Sequence, residues 1–256
     1  MRVCLLASGS KGNALYIEAG ESRILIDAGL PARELIRRLA AVGVDAAGLN
    51  AILISHEHGD HVRGAGVLSR KFRIPVFVSY PTHRQTQAVF DRTPVTEFES
   101  GYSFALRDLL IDPFPITHDA SDPVGFTIES GEGKVAVATD LGTATRLVVE
   151  KLKGSRILVL ESNHDDEMLL QGPYPWHLKQ RIKSRHGHLS NDDSAALLAD
   201  VLHPSLEGLF LAHLSEVNND PRVAREVADN LLNSQNICAP QLIVGTQQNP
   251  TEMLTI

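Results

Sequence analysis

Short apolar runs rich in Val, Ile and Leu dominate the first two thirds of the chain, each bounded by Gly, Asp, Ser or Pro. Val3 to Leu6, Ala14 to Glu18, Arg23 to Ile26, Ala51 to Ile54, Val76 to Val78, Leu109 to Ile111, Gly125 to Ile128, Val135 to Ala138 and Ile157 to Leu160 all have strand length. Leu209 to Leu211 and Gln241 to Val244 add two more near the end. Helical periodicity alternates with them. Pro31 to Ala41 sets Leu35, Ile36 and Leu39 on one face, and Pro81 to Phe90, Asp192 to Leu202 and Pro221 to Leu232 read the same way. Strands and amphipathic helices mixed along one chain predict an α+β fold in which helices pack outside sheets. No Pro/Gly/Ser-rich linker, charge block or repeat divides the sequence, so residues 1–256 are expected to form a single domain.

Composition narrows the setting. Hydrophobic residues make up 43% of 256 positions, enough for a buried core without a staple. The two cysteines, Cys4 and Cys238, form no Cys-x-x-Cys and no framework, which fits a reducing, cytoplasmic location. The apolar run before Ser8-Gly9-Ser10 is too short for a signal peptide or a membrane span, so no membrane partner is expected. A net charge of −7 argues against a whole-protein electrostatic grip on nucleic acid, while leaving room for a local basic patch.

Eleven histidines are more informative by position than by number. Behind the apolar strand Ile52-Leu53-Ile54 comes His56-Glu57-His58-Gly59-Asp60-His61, which gathers four ligand-type side chains within six residues. Imidazole and carboxylate without thiolate suit zinc, manganese or iron and leave coordination positions open to water, as catalytic sites require. Other candidates also follow strands: His118 after Leu109 to Ile116, Asp140 after Val135 to Ala138, and His213 after Leu209 to Leu211. Taken singly, a histidine or aspartate at a strand end is more often structural than a ligand. Strand ends and the loops beyond them are nevertheless where layered folds hold their chemistry.

The run His56-x-His58-x-Asp60-His61 resembles the signature of the metallo-β-lactamase superfamily, and Thr117-His118-Asp119, Thr139-Asp140-Leu141-Gly142 and Ala212-His213-Leu214 resemble its later motifs in order. The resemblance implies a four-layer αβ/βα sandwich, two mixed sheets with helices outside, around two divalent metal ions. It assigns His56, His58 and His118 to one ion, Asp60, His61 and His213 to the other, and Asp140 to both. Such a pair lowers the pKa of a shared water from near 16 to about 7 and readies it for attack on a phosphoryl group.

The turn Ser8-Gly9-Ser10-Lys11-Gly12-Asn13, with Glu161-Ser162-Asn163-His164-Asp165, Gly187-His188-Leu189-Ser190-Asn191 and His213-Leu214-Ser215, is similar to the bacterial YycJ/WalJ group. That group is related to ribonuclease Z and the PhnP-type phosphodiesterases. The implied activity is a phosphodiesterase or nuclease, an exonuclease on DNA. The interval between Asp140 and His213 is too short for the additional domain of larger relatives, and ribonuclease Z's long arm has no counterpart here. Ser8, Ser10 and Asn13 are expected to face the substrate through backbone N–H groups that hold an anion, although on composition alone a plain hairpin turn explains the segment equally well.

A basic stretch from Trp176 to His188 carries Lys179, Arg181, Lys183 and Arg185 with no acidic residue, so Lys179 and Arg181 are expected to meet phosphates. A solvated helix face with Trp176 as packing anchor explains it equally well. Phosphodiester cleavage must also protonate a leaving alkoxide, which suits a histidine; His188 and then His164 are the candidates, with Asp60 assisting the nucleophile. Ser190 and Asn191 either contact substrate or cap the helix near Asp192. Two other readings remain: hydrolysis of a small cyclic phosphodiester, thioester or lactone, and a non-catalytic metal-dependent regulatory binding protein.

Overall fold

The structure is a computed structural model that describes residues 1–256. Both faces of most strands are buried, which is why so many runs are apolar without interruption rather than alternating. Along β1 (Arg2–Ala7), Val3 and Leu5 enter one core cluster while Cys4 and Leu6 enter another. β1 therefore separates two apolar layers.

The first sheet has seven strands in the order β14 (Leu254–Thr255), β1, β2 (Ala14–Ala19), β3 (Ser22–Ile26), β4 (Ala51–Leu53), β5 (Val76–Ser79) and β6 (Val95–Phe98). The second runs β13 (Gln241–Val244), β12 (Gly208–Ala212), β11 (Ile157–Glu161), β10 (Gly133–Ala138), β9 (Val124–Ser130), β8 (Leu109–Pro115) and β7 (Phe104–Leu106). Each sheet is half antiparallel and half parallel. β1 to β3 form a meander and β3 to β6 are parallel, as β7 to β10 form a meander and β10 to β13 are parallel.

Three apolar clusters hold the layers together. One lies between the sheets and includes Leu5, Ile17, Ile24, Phe126, Val159 and Phe210. A second joins the first sheet to α1 (Ala32–Ala41), α2 (Gly59–Val62) and α3 (Ala65–Phe72), through Leu25, Leu35, Leu39, Ile52 and Leu68. The third joins the second sheet to α5 (Arg146–Leu152), α8 (Asn191–Val201) and α9 (Pro221–Asn233), and α4 (Tyr80–Thr86) packs near β5 and β6. Burying each large side chain contributes roughly 1.5–3 kcal/mol before ordering costs are subtracted. The result is the expected four-layer α+β sandwich. No helix is long and apolar enough to cross a membrane.

Most predicted elements appear within a residue or two of their expected limits. The segment Pro81 to Phe90 is an exception: α4 ends at Thr86, whose hydroxyl donates to the Thr82 carbonyl, and the Val89 and Phe90 amides both fold back onto Thr86 O. The tail after Asn233 closes both sheets, since β13 edges the second and β14 pairs with β1 in the first. Two short helices, α6 (Asp166–Gln171) and α7 (Trp176–Ile182), lie between β11 and α8.

Candidate metal centre

Parallel pairing aligns the ends of neighbouring strands, and the site is built on that alignment. In the first sheet β3 and β4 pair Ile26 with Leu53, so Asp27 and Ser55 emerge side by side. Ser55 donates through its N–H and its hydroxyl to the two Asp27 oxygens, at 2.9 and 2.8 Å. The chain then turns into α2, which carries Asp60 and His61 on its first turn. Gly29 permits this packing: a Cβ there would lie 1.5 Å from Asp60 O, so no other residue fits against the α2 backbone.

In the second sheet β10, β11 and β12 pair Ala138 with Leu160 and Leu160 with Leu211. Asp140, Glu161 and His213 therefore leave the same edge, and His118 follows β8 nearby. Asp140 and His213 hold φ of 55° and 57°, and Asp27 holds 61°, a left-handed conformation that costs non-glycine residues energy. Three strained backbones, one at a strand end of the first sheet and two in the second, mark where side-chain placement has overridden local preference.

The structure brings all seven expected ligands together. Donor atoms of His56, His58 and His118 lie within 4.8 Å of one another, as do those of Asp60, His61 and His213, and Asp140 groups with His56 and His61 at the same spacing. His56 Nε2 is 3.0 Å from His58 Nδ1, and His61 Nε2 is 3.4 Å from Asp140 Oδ2.

The hydrogen bonds behind these rings explain their orientation. Since Ser55 Oγ donates to Asp27, it accepts from His56 Nδ1–H at 2.9 Å; His61 Nδ1–H donates to Asp27 at 2.7 Å and His213 Nδ1–H to Glu161 at 2.7 Å. Each of these rings thus turns the Nε2 lone pair inward, as in metal sites. Two buried atoms, Asp140 Oδ2 and His213 Nε2, have no hydrogen-bond partner. Buried polar atoms left unpaired are costly, so the donor set fits divalent cations.

Electrostatics agree. Burial opposes charge on His213, but Asp140 and Glu161 overcome it and raise the imidazole to about 9. Burial likewise opposes charge on His61, and Asp140 and Asp27 outweigh it, holding the ring well above its usual range. His56 goes the other way, held well below its usual value by burial and by repulsion from His61 and His118. The buried carboxylates demand positive charge that protons or cations supply.

Glu161 and Asp27 are functional residues that sequence reasoning missed. Glu161 is fully buried; Oε1 accepts from His213 and, at 2.8 Å, from His188 Nδ1, while Oε2 accepts from the Leu141 and Leu189 amides at 2.7 and 3.1 Å. Burial opposes its ionisation, but His188 and His213 keep its pKa low. A signal existed, because each is the acid that ends an apolar strand, Ile24-Leu25-Ile26-Asp27 and Leu158-Val159-Leu160-Glu161.

A cavity of about 270 Å³ opens over the centre, lined by His58, Asp60, His118, Asp140, His188 and His213. Ser10 and Arg181 stand on its wall, and His188 points Nε2 toward the cavity from a half-buried position. Other expected contacts lie elsewhere. Ser8 accepts from the His213 amide at 2.6 Å and so holds that ligand's backbone, while Asn13 Nδ2 donates to Asp60 Oδ2 at 3.3 Å and lies 3.0 Å from His61 Nε2.

Most of the predicted anion cradle is occupied within the protein, since the amides of Ser8, Gly9, Lys11, Gly12 and Asn13 are bonded to Thr246, Asn13, Gln247, Gly9 and Asp60; only the Ser10 amide, on the cavity wall, is left without a partner. Lys179 does not reach the cavity; its ammonium donates to Leu170 O and Gly172 O. His164 is buried off the cavity, its backbone bridged to Ser190. Ser190 caps α8, accepting from the Asp193 amide, and Asn191 is locked between Ser162 and Asn219. Trp176 is no packing anchor, being 62% exposed.

Fold and site together define a metallo-β-lactamase-type protein: residues 22–207 match the Beta-lactamase superfamily domain, and the chain belongs to that superfamily. Within it, the chain is 36% identical over 233 residues to the exodeoxyribonuclease YycJ of Bacillus anthracis, spanning 89% of this chain and 88% of that protein. It is 34% identical over 233 residues to the exodeoxyribonuclease WalJ of Streptococcus pneumoniae, covering 89% and 87%. The resemblance read from the motifs is thereby borne out. Among solved structures, Zn(2+)-bound PqqB from Methylobacterium extorquens superposes over 100% of both chains with a TM-score of 0.76 at 17% identity, a likeness of fold.

Proposed function

We propose that residues 1–256 form one cytoplasmic hydrolase domain, a metal-dependent phosphodiesterase that acts as an exonuclease on DNA. The observation that carries this reading is the convergence of seven ligand-type side chains beneath a cavity that also presents His188 Nε2 and Arg181. The names of the YycJ and WalJ relatives support the substrate.

His56, His58 and His118 would hold one divalent cation, Asp60, His61 and His213 a second, and Asp140 both; zinc, manganese and iron all suit these ligands. Such cations supply Lewis acidity at a phosphoryl oxygen and acidify water toward neutral pH.

The chain's own groups do the rest. Burial opposes ionisation of Asp60, yet His61 keeps the carboxyl well below its usual range, so it stays an anion and accepts a hydrogen bond that orients the attacking water. Glu161 holds His188 by Nδ1 and stabilises the ring when it is charged, leaving Nε2 to carry a proton to the leaving oxygen. Arg181, now paired with Asp119 at 2.9 Å on the surface, exchanges that partner for a phosphate.

The test is metal analysis of purified protein followed by cleavage of end-labelled single- and double-stranded DNA with manganese or zinc. Two metal equivalents and stepwise loss of terminal nucleotides are expected, with Asp60→Ala folded but inactive. Hydrolysis of bis(p-nitrophenyl) phosphate without attack on DNA would move the substrate to a small phosphodiester. Metal binding with no hydrolysis at all would leave only a regulatory role.

A further inference from the structure

From His61 to Phe90 the chain carries five Lys or Arg and no acidic residue, in a protein of net charge −7. That stretch follows the first metal ligands directly and opens into α2 and α3. The backbone passes between these helices through Arg63 and Gly64, both in right-handed helical conformation, so Gly59 to Phe72 form one nearly continuous helical run. Gly59, Arg63, Val67, Arg70 and Lys71 share its exposed face, while Val62, Ala65 and Leu68 are buried in the core beneath. Arg73, exposed just beyond α3, adds a cation at the far end.

The face starts at the catalytic cavity, because Gly59 lies between His58 and Asp60, which both line it. None of Arg63, Arg70, Lys71 and Arg73 forms an ion pair, and the acids closest along the chain are Asp60, a ligand, and Asp91, which pairs with Arg92 at 3.6 Å. α1, packed beside α3, brings three arginines against one acid, Glu34, which Arg37 and Arg38 already hold. Arg70 spends Nη1 on Val89 O, Asp91 O and Thr93 Oγ1, neutral acceptors that leave its charge in place. Stabilisation at a helix C-terminus explains Arg70 and Lys71. It does not explain Arg63, about two turns earlier.

We propose that this face is a docking track for duplex DNA, with Arg63, Lys71 and Arg73 on the phosphates of the segment next to the one being cut. This rests on the nuclease reading above and names the surface that holds its substrate. Two features select a duplex. The run from Gly59 to Phe72 is about 20 Å long at 1.5 Å per residue, the rise of about six base pairs at 3.4 Å each, so a rigid row of cations meets a rigid row of phosphates. The face also lacks an exposed aromatic ring, the feature on which proteins stack unpaired bases; Phe72, under the Lys71 ammonium, is half-buried against the core. Contacts of this kind fix register and orientation on the duplex without reading its sequence.

The test is titration of the holoenzyme, over a range of salt, with a fluorescein-labelled blunt duplex whose phosphorothioate linkages resist cleavage. Arg63→Gln/Lys71→Gln removes two exposed cations, so the fold is retained. The slope of log affinity against log salt is expected to become shallower by about 2, at about 0.9 per phosphate contact, with binding at low salt weakened on the order of 10-fold or more. KM for duplex cleavage rises in step while kcat holds. kcat/KM for bis(p-nitrophenyl) phosphate, which is too small to reach the face, is unchanged. Arg225→Gln, an exposed cation on α9 in the opposite outer layer, leaves all of these as in the parent.

A salt slope and KM unmoved by the double variant overturn the track. So does an equal loss in Arg225→Gln, which would make the effect one of net charge. A single strand of the same length that binds as tightly and loses as much also overturns it, since the face would then answer to any polyanion. Wild-type protein that cleaves no DNA defeats the nuclease reading instead, and the titration still decides whether this face holds a duplex.

Discussion

The two halves of the metal centre are built in opposite ways. The first sheet contributes four ligands from one loop and one helical turn, His56 to His61, and positions two of them through a single carboxylate, Asp27. The second sheet contributes one residue from each strand end, His118, Asp140, His213 and the orienting Glu161, separated by long stretches of chain. The first half is thus made by local sequence and the second by strand register. A compact run tolerates small shifts of the sheet beneath it because its ligands move together. A set gathered across three parallel strands depends on every strand end arriving at the same level.

The largest effect is expected where the register-built half converges, at Glu161. Its four hydrogen bonds all come from donors: two imidazole N–H groups and two backbone amides. Glu161→Gln places an NH₂ against at least one pair of those donors, leaving buried N–H groups unpaired and the tautomers of His188 and His213 unset. A stability loss of about 3–5 kcal/mol is expected, with DNA cleavage reduced on the order of 10²- to 10⁴-fold. Comparing DNA with a nitrophenyl diester sharpens the result. Nitrophenolate leaves without a proton, so the loss must be larger for DNA if His188 is the acid. Equal losses would confine Glu161 to holding His213.

The corresponding change in the locally built half should be milder. Asp27→Asn keeps a side chain that tolerates φ of 61° and keeps one carbonyl oxygen for Ser55, but turns an NH₂ toward His61 Nδ1–H. The same position also accepts from the Ser55 hydroxyl that holds His56, so His56 and His61 both lose their orientation, while the loop itself and His58 stay in place. Metal affinity, measured by chelator competition, is expected to fall about 10- to 100-fold with little change in unfolding temperature. If Asp27→Asn proves as damaging as Glu161→Gln, the distinction between the two halves fails.

The same contrast explains what the sequence disclosed. Strands, sandwich and the His56 to His61 run were legible because apolar periodicity and ligand spacing are local properties. His118, Asp140 and His213 became readable only as a set, since each alone is an ordinary strand-end residue. Glu161 and Asp27 escaped because an acid after an apolar run looks like a strand terminator until register places a histidine beside it. Lys179 misled because sequence records a charge and not where a four-carbon stem curls; the carbonyls at the end of α6 capture it. The Ser8 to Asn13 turn misled in part for a similar reason, the Ser8 and Lys11 amides being bonded to Thr246 and Gln247 in a tail with no visible link to it.

That tail is also one of the ties between the halves, and it yields the smallest predicted effect. Arg38 of α1, outside the first sheet, is buried and donates to Leu6 O at 2.8 Å and to Gln247 O and Gln248 O at 3.1 and 2.9 Å, in the loop that follows β13 of the second sheet. Glu34 orients that guanidinium at 2.6 Å, and hydrogen bonds from Arg37 and Arg38 lower its carboxyl from 4.5 to about 2. A folded pKa below the unfolded one means stability that is fully present above pH 4.5 and is lost as pH falls toward 2. Glu34 is partly solvated, so the contribution is put at about 1 kcal/mol rather than the full shift. Denaturant unfolding of Glu34→Gln against the parent should show that difference at pH 6 and less than half of it at pH 3. A gap that stays constant with pH would mean that Glu34 acts through packing, and that Arg38 joins the two sheets without help from its charge partner.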